Sequence, residues 1–546
     1  MSVESFDYIV VGAGSAGCVV AARLSEDPRT NVLLLEAGGS DQHLYLRMPL
    51  GFLKAMMHPR FNWDYLSEPE PHLEGRRLPL PRGKVMGGCS TTNGMFAMRG
   101  HPLDYDQWAQ LGARGWSYAD VLPYFRKLED SWRGENAYHG KGGPVAVRPI
   151  ESPYLHHERL METAAGAGFP TSEDLAGEHA EGFARGEITI DDRGRRASAA
   201  AAYLVPAMGR RNLDVRQGVL VRRMVFEGKR CVGVEVDSPD GPRVLRANRE
   251  VILSGGAYNS PHLLMLSGIG PAAHLKQHGI AVLHDSAGVG RNLQEHATGM
   301  MEWDATGPVT FINQLRWDKV ALNSLRWLVG GGGPMASQLN SANSVIRTRD
   351  NLDRPDIQIM ANPIRFDAQT WFPWIKPAQS HVFWAGLVLL HPESRGWVEL
   401  KSADPRQTAA VTLNLLDAEA DRTTMREALR TARRIYRTPP FAELIGNERM
   451  PGEEVESDEA LDAFIRATCY IGMHPTSTCA MAQGANSVVD PELRVIGVEG
   501  LRIADCSVMP TVPGGNTNLP AIMVGEKCAD LIRGQSLPRA ELPEAA

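Results

Sequence analysis

The stretch that decides the fold is residues 6–24, which read FDYIVVGAGSAGCVVAARL. A short apolar run rich in β-branched residues leads into the pattern G-x-G-x-x-G, and a helix-like segment follows. A second apolar run, NVLLLE at residues 31–36, ends in Glu36. This order of strand, glycine turn, helix, strand and acidic residue indicates a β-α-β unit that binds a dinucleotide.

Each glycine of this pattern, and the glutamate after it, has a physical role. Gly12 permits the tight turn, Gly14 lets a pyrophosphate approach the backbone, and Gly17 lets the helix pack closely against the sheet. The helix N-terminus offers unpaired N–H groups to the phosphates, and Glu36 is expected to accept hydrogen bonds from a ribose diol. With 54 glycines in 546 residues the glycine pattern alone is weak, so the flanking strands carry the inference. They do not choose between FAD and NAD.

Length and composition limit the classes of protein to which this chain can belong. A chain of 546 residues is expected to form two domains. Its 43% hydrophobic and 22% charged content is typical of a soluble globular protein. The net charge of −7, without a dense run of Lys and Arg, argues against a nucleic-acid partner. Seven scattered cysteines without C-x-x-C predict neither a disulfide framework nor a metal site, and favour a cytoplasmic location.

Membrane insertion is not expected from the sequence. The first strand begins about six residues from the N-terminus, which leaves no room for a signal peptide. The apolar run VFWAGLVLL at residues 382–390 has about half the length that spans a bilayer. We therefore expect no transmembrane segment.

The remaining patterns predict an α/β protein, α+β overall. Its Rossmann-like nucleotide-binding domain would carry an inserted substrate domain of one sheet plus helices. The nucleotide-binding domain is expected over 1–300, with some substrate-domain elements near 150–210. The substrate domain takes up most of 301–465, and 466–546 return to the nucleotide-binding domain. Strands are predicted at 213–215, 219–226, 232–236, 250–256, 356–360, 397–400 and 501–505, and helices at 117–128, 421–436, 458–467 and 520–533.

Two apolar segments of the substrate domain leave alternatives open. The segment WFPW at 371–374 is either an aromatic gate over an apolar substrate or a packed loop. Trp317, Val320, Ala321, Leu325 and Leu328 have the spacing of an amphipathic helix. We expect that helix to turn its apolar face towards the core, and a membrane anchor is the alternative.

Further motifs make the resemblance specific. PRGKVMGGCSTTNGM (81–95) and GGAYNSPHLLMLSGIGP (255–271) closely resemble the two signatures of the glucose–methanol–choline (GMC) flavoprotein oxidoreductases. The blocks VGRNLQEH (289–296), HPESRG (391–396), ADCSVMP (504–510) and GNTNLP (515–520) follow in the order of that family. The resemblance extends from residue 6 to residue 533 and is shared with choline dehydrogenase-like and hydroxymethylfurfural oxidase-like members.

The resemblance implies FAD rather than NAD. Members with covalent flavin carry a histidine at the position of Thr92, so the FAD is expected to be non-covalent. Matching the family motifs residue by residue gives an expected set of cofactor-binding residues: Gly12, Gly14, Ser15, Ala16, Gly17, Glu36, Ala37, Val85, Gly88, Asn93, Gly94, Met95, Val221, Asp505 and Thr517.

The resemblance also implies the chemistry. His474, in the block YIGMHPTST (470–478), corresponds to the base that takes the hydroxyl proton of an alcohol while a hydride moves to the flavin N5. An imidazole with an ordinary pKa near 6.5 suits that task. Asn516 would hold the substrate oxygen, with Asn518 as the alternative. His296 and His391 are interpreted as structural.

The expected function is therefore FAD-dependent oxidation of an alcohol, by preference a primary one, to its aldehyde. The electrons would pass to O₂ or to a quinone-type acceptor, and the motifs do not separate an oxidase from a dehydrogenase. A non-redox FAD-containing lyase on the same scaffold is the alternative, against which the retention of His474 and Asn516 argues. The substrate is not determined, and the chain is expected to be a monomer or a small homo-oligomer that holds no metal.

Overall fold

A computed structural model describes residues 4–365, 367–482 and 484–542. In this part of the chain the strands assemble into two large sheets of seven strands each, together with several two- and three-stranded ribbons. The two large sheets have separate hydrophobic cores.

The first sheet contains the strand that opens the sequence. Its strands are Ser5–Val11, Val32–Glu36, Leu213–Gln217, Val221–Glu227, Arg230–Val236, Arg243–Leu253 and Leu501–Ile503. The strand Ser5–Val11 pairs in parallel with both of its neighbours, so that Val10 lies opposite Leu34 on one side and Ile252 on the other. These side chains are fully buried. A central parallel strand covered on both faces requires the continuous Val, Ile and Leu run that the sequence shows.

Helices from the two ends of the chain cover this sheet. Ser15–Leu24 packs against Asn518–Ile532, which is the helix predicted at 520–533. A buried ion pair joins them, with Arg23 Nη2 2.7 Å from Glu526 Oε1. The last helix therefore belongs to the nucleotide-binding layer, although some 500 residues separate it from the first.

The second sheet is antiparallel. Its strands are Gly182–Ala184, Ala297–Ala305, Asn343–Ile346, Ile357–Asn362, Val382–Leu389, Ile445–Met450 and Tyr470–Ile471. The helices His157–Gly166, Glu419–Tyr436 and Asp458–Thr468 pack beside it, and Trp303 stacks on Tyr436 with a ring separation of 4.2 Å. Most of its strands come from 301–465, one comes from the region near 150–210, and one follows residue 465. The domain boundaries themselves stay predictions.

The remaining strands form smaller ribbons, and the remaining helices are mostly short. The short strands are Tyr65–Leu66, Pro79–Leu80, Glu129–Ser131, Val145–Pro149, Glu187–Ile188, Ile269–Gly270, His284–Asp285, Trp397–Glu399 and Ala410–Thr412. The remaining α-helices are Leu44–Arg47, Phe52–Ala55, Cys89–Thr92, Pro102–Gln110, Tyr118–Leu128, Val205–Ala207, Gly256–Leu266, Ala272–Gln277 and Trp317–Gly330. No helix in the described ranges is long and apolar enough to cross a bilayer.

The helix Trp317–Gly330 forms as predicted, but its predicted orientation is wrong. Leu325 and Leu328 face solvent, and Val320 is only half-buried. The buried contacts of the helix are made by Asn323 and Trp327 instead. Apolar spacing alone cannot say which side of a helix meets the core, and here one large indole decides it.

The segment 371–374 packs at the N-terminus of that helix. The Trp371 indole N–H donates to the carbonyl oxygen of Ile312 at 2.9 Å, and the Phe372 ring stacks on Trp317 at 5.7 Å. The Trp374 side chain is fully exposed. None of the four residues lines the cavity that holds the candidate site, so the packed-loop interpretation describes the first two aromatic residues and the gate interpretation is wrong.

Candidate active site

The glycine turn closes the first strand against the first helix. Gly12 has a φ of +100°, and a Cβ atom there would lie 2.5 Å from the carbonyl oxygen of Ser254. A Cβ atom at Gly17 would lie 1.9 Å from the carbonyl oxygen of Gly12. At Gly14 the nearest atom to a Cβ would be 3.8 Å away. The turn therefore requires glycine at positions 12 and 17, whereas Gly14 leaves its backbone open to a phosphate.

A cavity of about 420 Å³ runs from this turn to His474 and Asn516. It is lined by nearly all of the predicted cofactor residues: Gly12, Gly14, Ser15, Ala16, Glu36, Ala37, Gly88, Asn93, Gly94, Met95, Val221, Asp505 and Thr517. Two predicted residues lie outside the lining. Gly17 packs inside the turn, and Val85 packs in a small cluster with Leu46, Ala55 and Phe61.

Glu36 fastens the glycine turn to the end of the second strand. Its Oε2 atom accepts the N–H of Ala13 at 2.9 Å, and its Oε1 atom accepts the N–H of Gly38 at 2.7 Å. Burial raises the pKa of this carboxyl to about 7, against the effect of these two hydrogen bonds. The carboxyl therefore holds the backbone of the glycine turn and of the segment after the second strand, and it also lines the cavity.

Asp505 lies between the start of the helix Gly256–Leu266 and the start of the 3-10 helix Cys506–Val508. Its Oδ2 atom accepts the Ser260 hydroxyl at 2.5 Å and the N–H of Gly256 at 2.8 Å, and its Oδ1 atom accepts the N–H of Ser507 at 2.8 Å. Burial raises its pKa, although these hydrogen bonds favour the ionised form. Asp505 thus orders the glycine-rich start of the helix Gly256–Leu266, where both Gly256 and Asp505 line the cavity.

The structure separates the two candidate asparagines. The amide nitrogen of Asn516 lies 3.0 Å from Nε2 of His474. The Asn518 Oδ1 atom instead accepts the hydroxyl of Ser15 at 2.9 Å, at the glycine turn. The structure therefore brings Asn516, and not Asn518, to the imidazole.

His474 is half-buried at the cavity and held on three sides. Its backbone N–H donates to Glu295 Oε1 at 2.6 Å, and its Nδ1 atom lies 3.0 Å from Nδ1 of His296. Asn516 occupies the third side, at Nε2. With the amide N–H facing Nε2, that nitrogen is an acceptor, and the proton of a neutral His474 belongs on Nδ1, where it is donated to His296.

The electrostatics of His474 keep it neutral. Burial lowers its pKa well below the ordinary 6.5, and the neighbouring His296 and Arg82 lower it further. A histidine with a lowered pKa is uncharged at neutral pH, which is the form that can accept a proton.

Two residues that support this imidazole were missed in the sequence. Glu295 Oε1 accepts the backbone N–H of both His474 and His296, and burial raises the Glu295 pKa to about 7 while Arg82 opposes that rise. His296, interpreted as structural, contacts the imidazole directly. The block 289–296 was the available signal, since it ends where the strand Ala297–Ala305 begins beside Tyr470–Ile471.

Buried polar atoms along the cavity fit a bound FAD. Within the described residues, the hydroxyls of Ser254, Tyr258 and Tyr470 and the Asn516 Oδ1 atom are buried without a hydrogen-bond partner. The helices Ser15–Leu24 and Asn518–Ile532 begin at the cavity, and helix N-termini favour phosphate. Gly14 adds an open backbone. The residues present therefore suit a pyrophosphate at one end and a reacting group beside His474 at the other.

A nucleotide-binding sheet, an open glycine turn and a neutral imidazole at one end of the cavity are the site of a nucleotide-dependent oxidoreductase. The comparisons with known proteins agree. Two models of the GMC oxidoreductase family match residues 6–298 and 392–525. The chain belongs to the GMC oxidoreductase family and is an FAD-dependent alcohol oxidoreductase. The sequence-based expectations of the family, the fold class, FAD and alcohol oxidation are thereby confirmed.

Full-length relatives and solved structures support this assignment. The chain is 43% identical to an oxygen-dependent choline dehydrogenase of Sinorhizobium fredii and 44% identical to one of Rhizobium etli, over 97% of this chain and 96% of each relative. Pyridoxine 4-oxidase from Mesorbium loti has a TM-score of 0.87 at 30% identity, covering 97% of this chain and all of that one. A formate oxidase has a TM-score of 0.90 at 27% identity, covering 98% and 99%. None of these names supports the lyase alternative.

Proposed function

We propose that this enzyme oxidises a neutral, largely apolar primary alcohol, and not choline. The observation that carries the proposal is the charge of the cavity. Its acidic lining residues in the described chain are Glu36 and Asp505, and both are engaged with backbone near the nucleotide-binding turns. Near the second sheet the lining is uncharged, with Met95, Phe96, Met360, Asn362 and Val388.

A quaternary ammonium would meet no stabilising charge in this lining. Recognition of such a cation requires a carboxylate or the open faces of aromatic rings. Of the aromatic residues that line the cavity, Trp63 and Tyr258 already have a cation over the ring, Lys84 at 4.6 Å and Arg82 at 5.8 Å from the ring centre. Arg82 is half-buried and lines the cavity, so it adds positive charge beside His474. This arrangement favours a neutral substrate over a cationic one.

The residues then divide the work of alcohol oxidation. Bound FAD supplies the acceptor for the hydride of the alcohol carbon. The Nε2 atom of His474 takes the hydroxyl proton, and the lowered pKa keeps that nitrogen free to do so. When the alcohol binds, its hydroxyl replaces the Asn516 amide at Nε2 and the amide holds the substrate oxygen instead. His296 accepts the Nδ1 hydrogen bond, so that Nε2 stays unprotonated.

The final electron acceptor is O₂ or a quinone-type compound, in a protein that we place in the cytoplasm. All seven cysteines are free thiols, which suits a reducing compartment. Peroxide production during alcohol oxidation, measured with and without an artificial quinone, assigns the acceptor. Stoichiometric peroxide identifies an oxidase, and turnover that depends on the quinone identifies a dehydrogenase.

The substrate proposal is tested with an isosteric pair. Anaerobic flavin reduction is followed with choline and with its carbon isostere, in which a tert-butyl group replaces the trimethylammonium group. The two alcohols have the same shape and differ in charge. We expect the isostere to reduce the flavin with the higher ratio of reduction rate constant to apparent Kd. Faster reduction by choline would refute the proposal.

A further inference from the structure

An apolar surface lies on the helix Trp317–Gly330, none of whose residues lines the cavity. On the helix Trp317–Gly330 the buried residues Asn323 and Trp327 share one side, and the Trp327 indole N–H donates to the carbonyl oxygen of Gly194 at 2.6 Å. At 100° per residue, Leu325 and Val329 fall on the opposite side. They are 57% and 82% exposed. The helix is therefore amphipathic with much of its apolar side turned outward.

A neighbouring loop extends this surface. The backbone N–H of Trp317 donates to the carbonyl oxygen of Trp371 at 3.0 Å, and the ring of Trp317 stacks on Phe372. These contacts hold the loop tip beside the helix. At the tip the Trp374 side chain is fully exposed and Ile375 is 66% exposed. We call the exposed residues the apolar surface: Leu322, Leu325, Leu328, Val329, Trp374 and Ile375.

The charge around this surface has the opposite sign to that of the whole chain. Residues 316–330 and 371–376 contain four cationic side chains, Arg316, Lys319, Arg326 and Lys376, and one carboxylate, Asp318. Their net charge is thus +3 in a chain whose net charge is −7. Asp318 is also paired with Arg316, at 2.6 Å. An anionic surface would complement this region, while most of the molecule would be repelled from it.

We propose that the apolar surface docks the enzyme on the face of an anionic phospholipid bilayer. An amphipathic helix with Leu and Val on one side and Lys and Arg beside them lies in the plane of the membrane interface, and exposed Trp side chains prefer the same depth. Docking would be peripheral, because no helix in the described ranges can cross a bilayer. A second copy of this chain fits less well, since two surfaces of net charge +3 would meet.

The helix that carries most of the apolar surface is linked to the cavity by packing. Trp327 of the helix belongs to the same hydrophobic cluster as Met95, and Met95 lines the cavity. The proposal does not depend on the identity of the substrate. It would hold for either electron acceptor.

The test is co-sedimentation of the FAD-loaded enzyme with vesicles. One set contains phosphatidylglycerol and phosphatidylethanolamine, and the other contains phosphatidylcholine alone. We expect the wild type to pellet with the anionic vesicles and to be released by salt. The double variant L325E/V329E should lower the partition coefficient at least about tenfold, since two apolar side chains leave the bilayer. Lys319→Glu with Arg326→Glu should remove the preference for anionic lipid.

A matched control adds the same charge elsewhere. Leu111 and Ile496 are each 43% exposed, so L111E/I496E introduces two carboxylates at apolar surface positions outside the docking region. We expect this control to bind vesicles as the wild type does. L111E/I496E and L325E/V329E should both keep wild-type turnover in solution. Equal loss of binding in the control would overturn the proposal. So would a wild-type dimer that L325E/V329E converts to a monomer, because the surface would then be an interface between copies.

Discussion

At the scale of single residues, the proposed reaction depends on one unprotonated nitrogen atom, Nε2 of His474. Removing a general base costs on the order of 10²–10⁴ in rate, roughly 3–5 kcal/mol of barrier. We therefore expect His474→Ala to slow anaerobic flavin reduction by that factor. Asn516→Ala should raise the barrier by about 2–4 kcal/mol, as for the loss of a charge-stabilising hydrogen bond. Both variants should still bind FAD, and flavin reduction by His474→Ala at near wild-type speed would reassign the base.

The same residue predicts a pH dependence with a definite sign. Below its pKa His474 is protonated and cannot accept a proton, so the rate of flavin reduction should rise with pH. Burial, His296 and Arg82 lower that pKa. The increase in rate should therefore occur below pH 6.5, and the rate should no longer change with pH near neutrality. His296→Ala removes one lowering influence and the acceptor for the Nδ1 proton. The inflection should move up while the rate falls.

A control separates positioning by His296 from general damage to the fold. His139→Ala removes another buried histidine, which pairs with Glu129 and Asp174 and does not line the cavity, and it should leave both the rate and the inflection where the wild type has them. If His296→Ala reduces its flavin at full speed with an unmoved inflection, then His296 is only structural.

Thr92 predicts how the flavin is attached. The residue is buried in the short helix Cys89–Thr92 and has a hydroxyl where covalent members of the family have an imidazole. We expect acid precipitation to release all of the yellow colour into the supernatant. As a comparison, a covalent flavoprotein treated in parallel should keep its colour in the pellet. Colour in the pellet of this enzyme would contradict the prediction.

At the scale of elements, Glu36 couples the glycine turn to the second strand. When the Glu36 carboxyl is ionised, each hydrogen bond that it accepts is charge-assisted and contributes about 1.5–3 kcal/mol. Glu36→Ala frees the N–H groups of Ala13 and Gly38 and removes the expected ribose contact. FAD occupancy should fall more than the reduction rate of the loaded fraction. Glu36→Gln keeps one acceptor oxygen and should show an intermediate loss, whereas unchanged occupancy in Glu36→Ala would mean that the ribose is held elsewhere.

At the scale of the whole molecule, the first and last helices are locked together by a buried charge. Glu526 is fully buried and accepts from Arg23, Tyr203 and Lys127. Arg23→Leu removes one partner and leaves Lys127 and Tyr203, so it should reduce the free energy of unfolding by about 1–3 kcal/mol. The double variant R23L/E526L removes both charges and should be less destabilised in urea than Arg23→Leu alone. Equal loss in both variants would show that packing, not charge, joins the helices.

The sequence by itself determined the elements whose signals are local. The glycine turn, the strands at 213–236, the helices at 117–128 and 458–467 and the class of cofactor followed from turn chemistry, apolar periodicity and family motifs, because these act between near neighbours in the chain. Only the tertiary structure decided the contacts between distant segments. It chose Asn516 over Asn518, brought His296 and Glu295 to His474 across 178 and 179 residues, and turned Leu325 and Leu328 outward. Such contacts depend on which surfaces are buried together, and spacing along one segment carries no information about that.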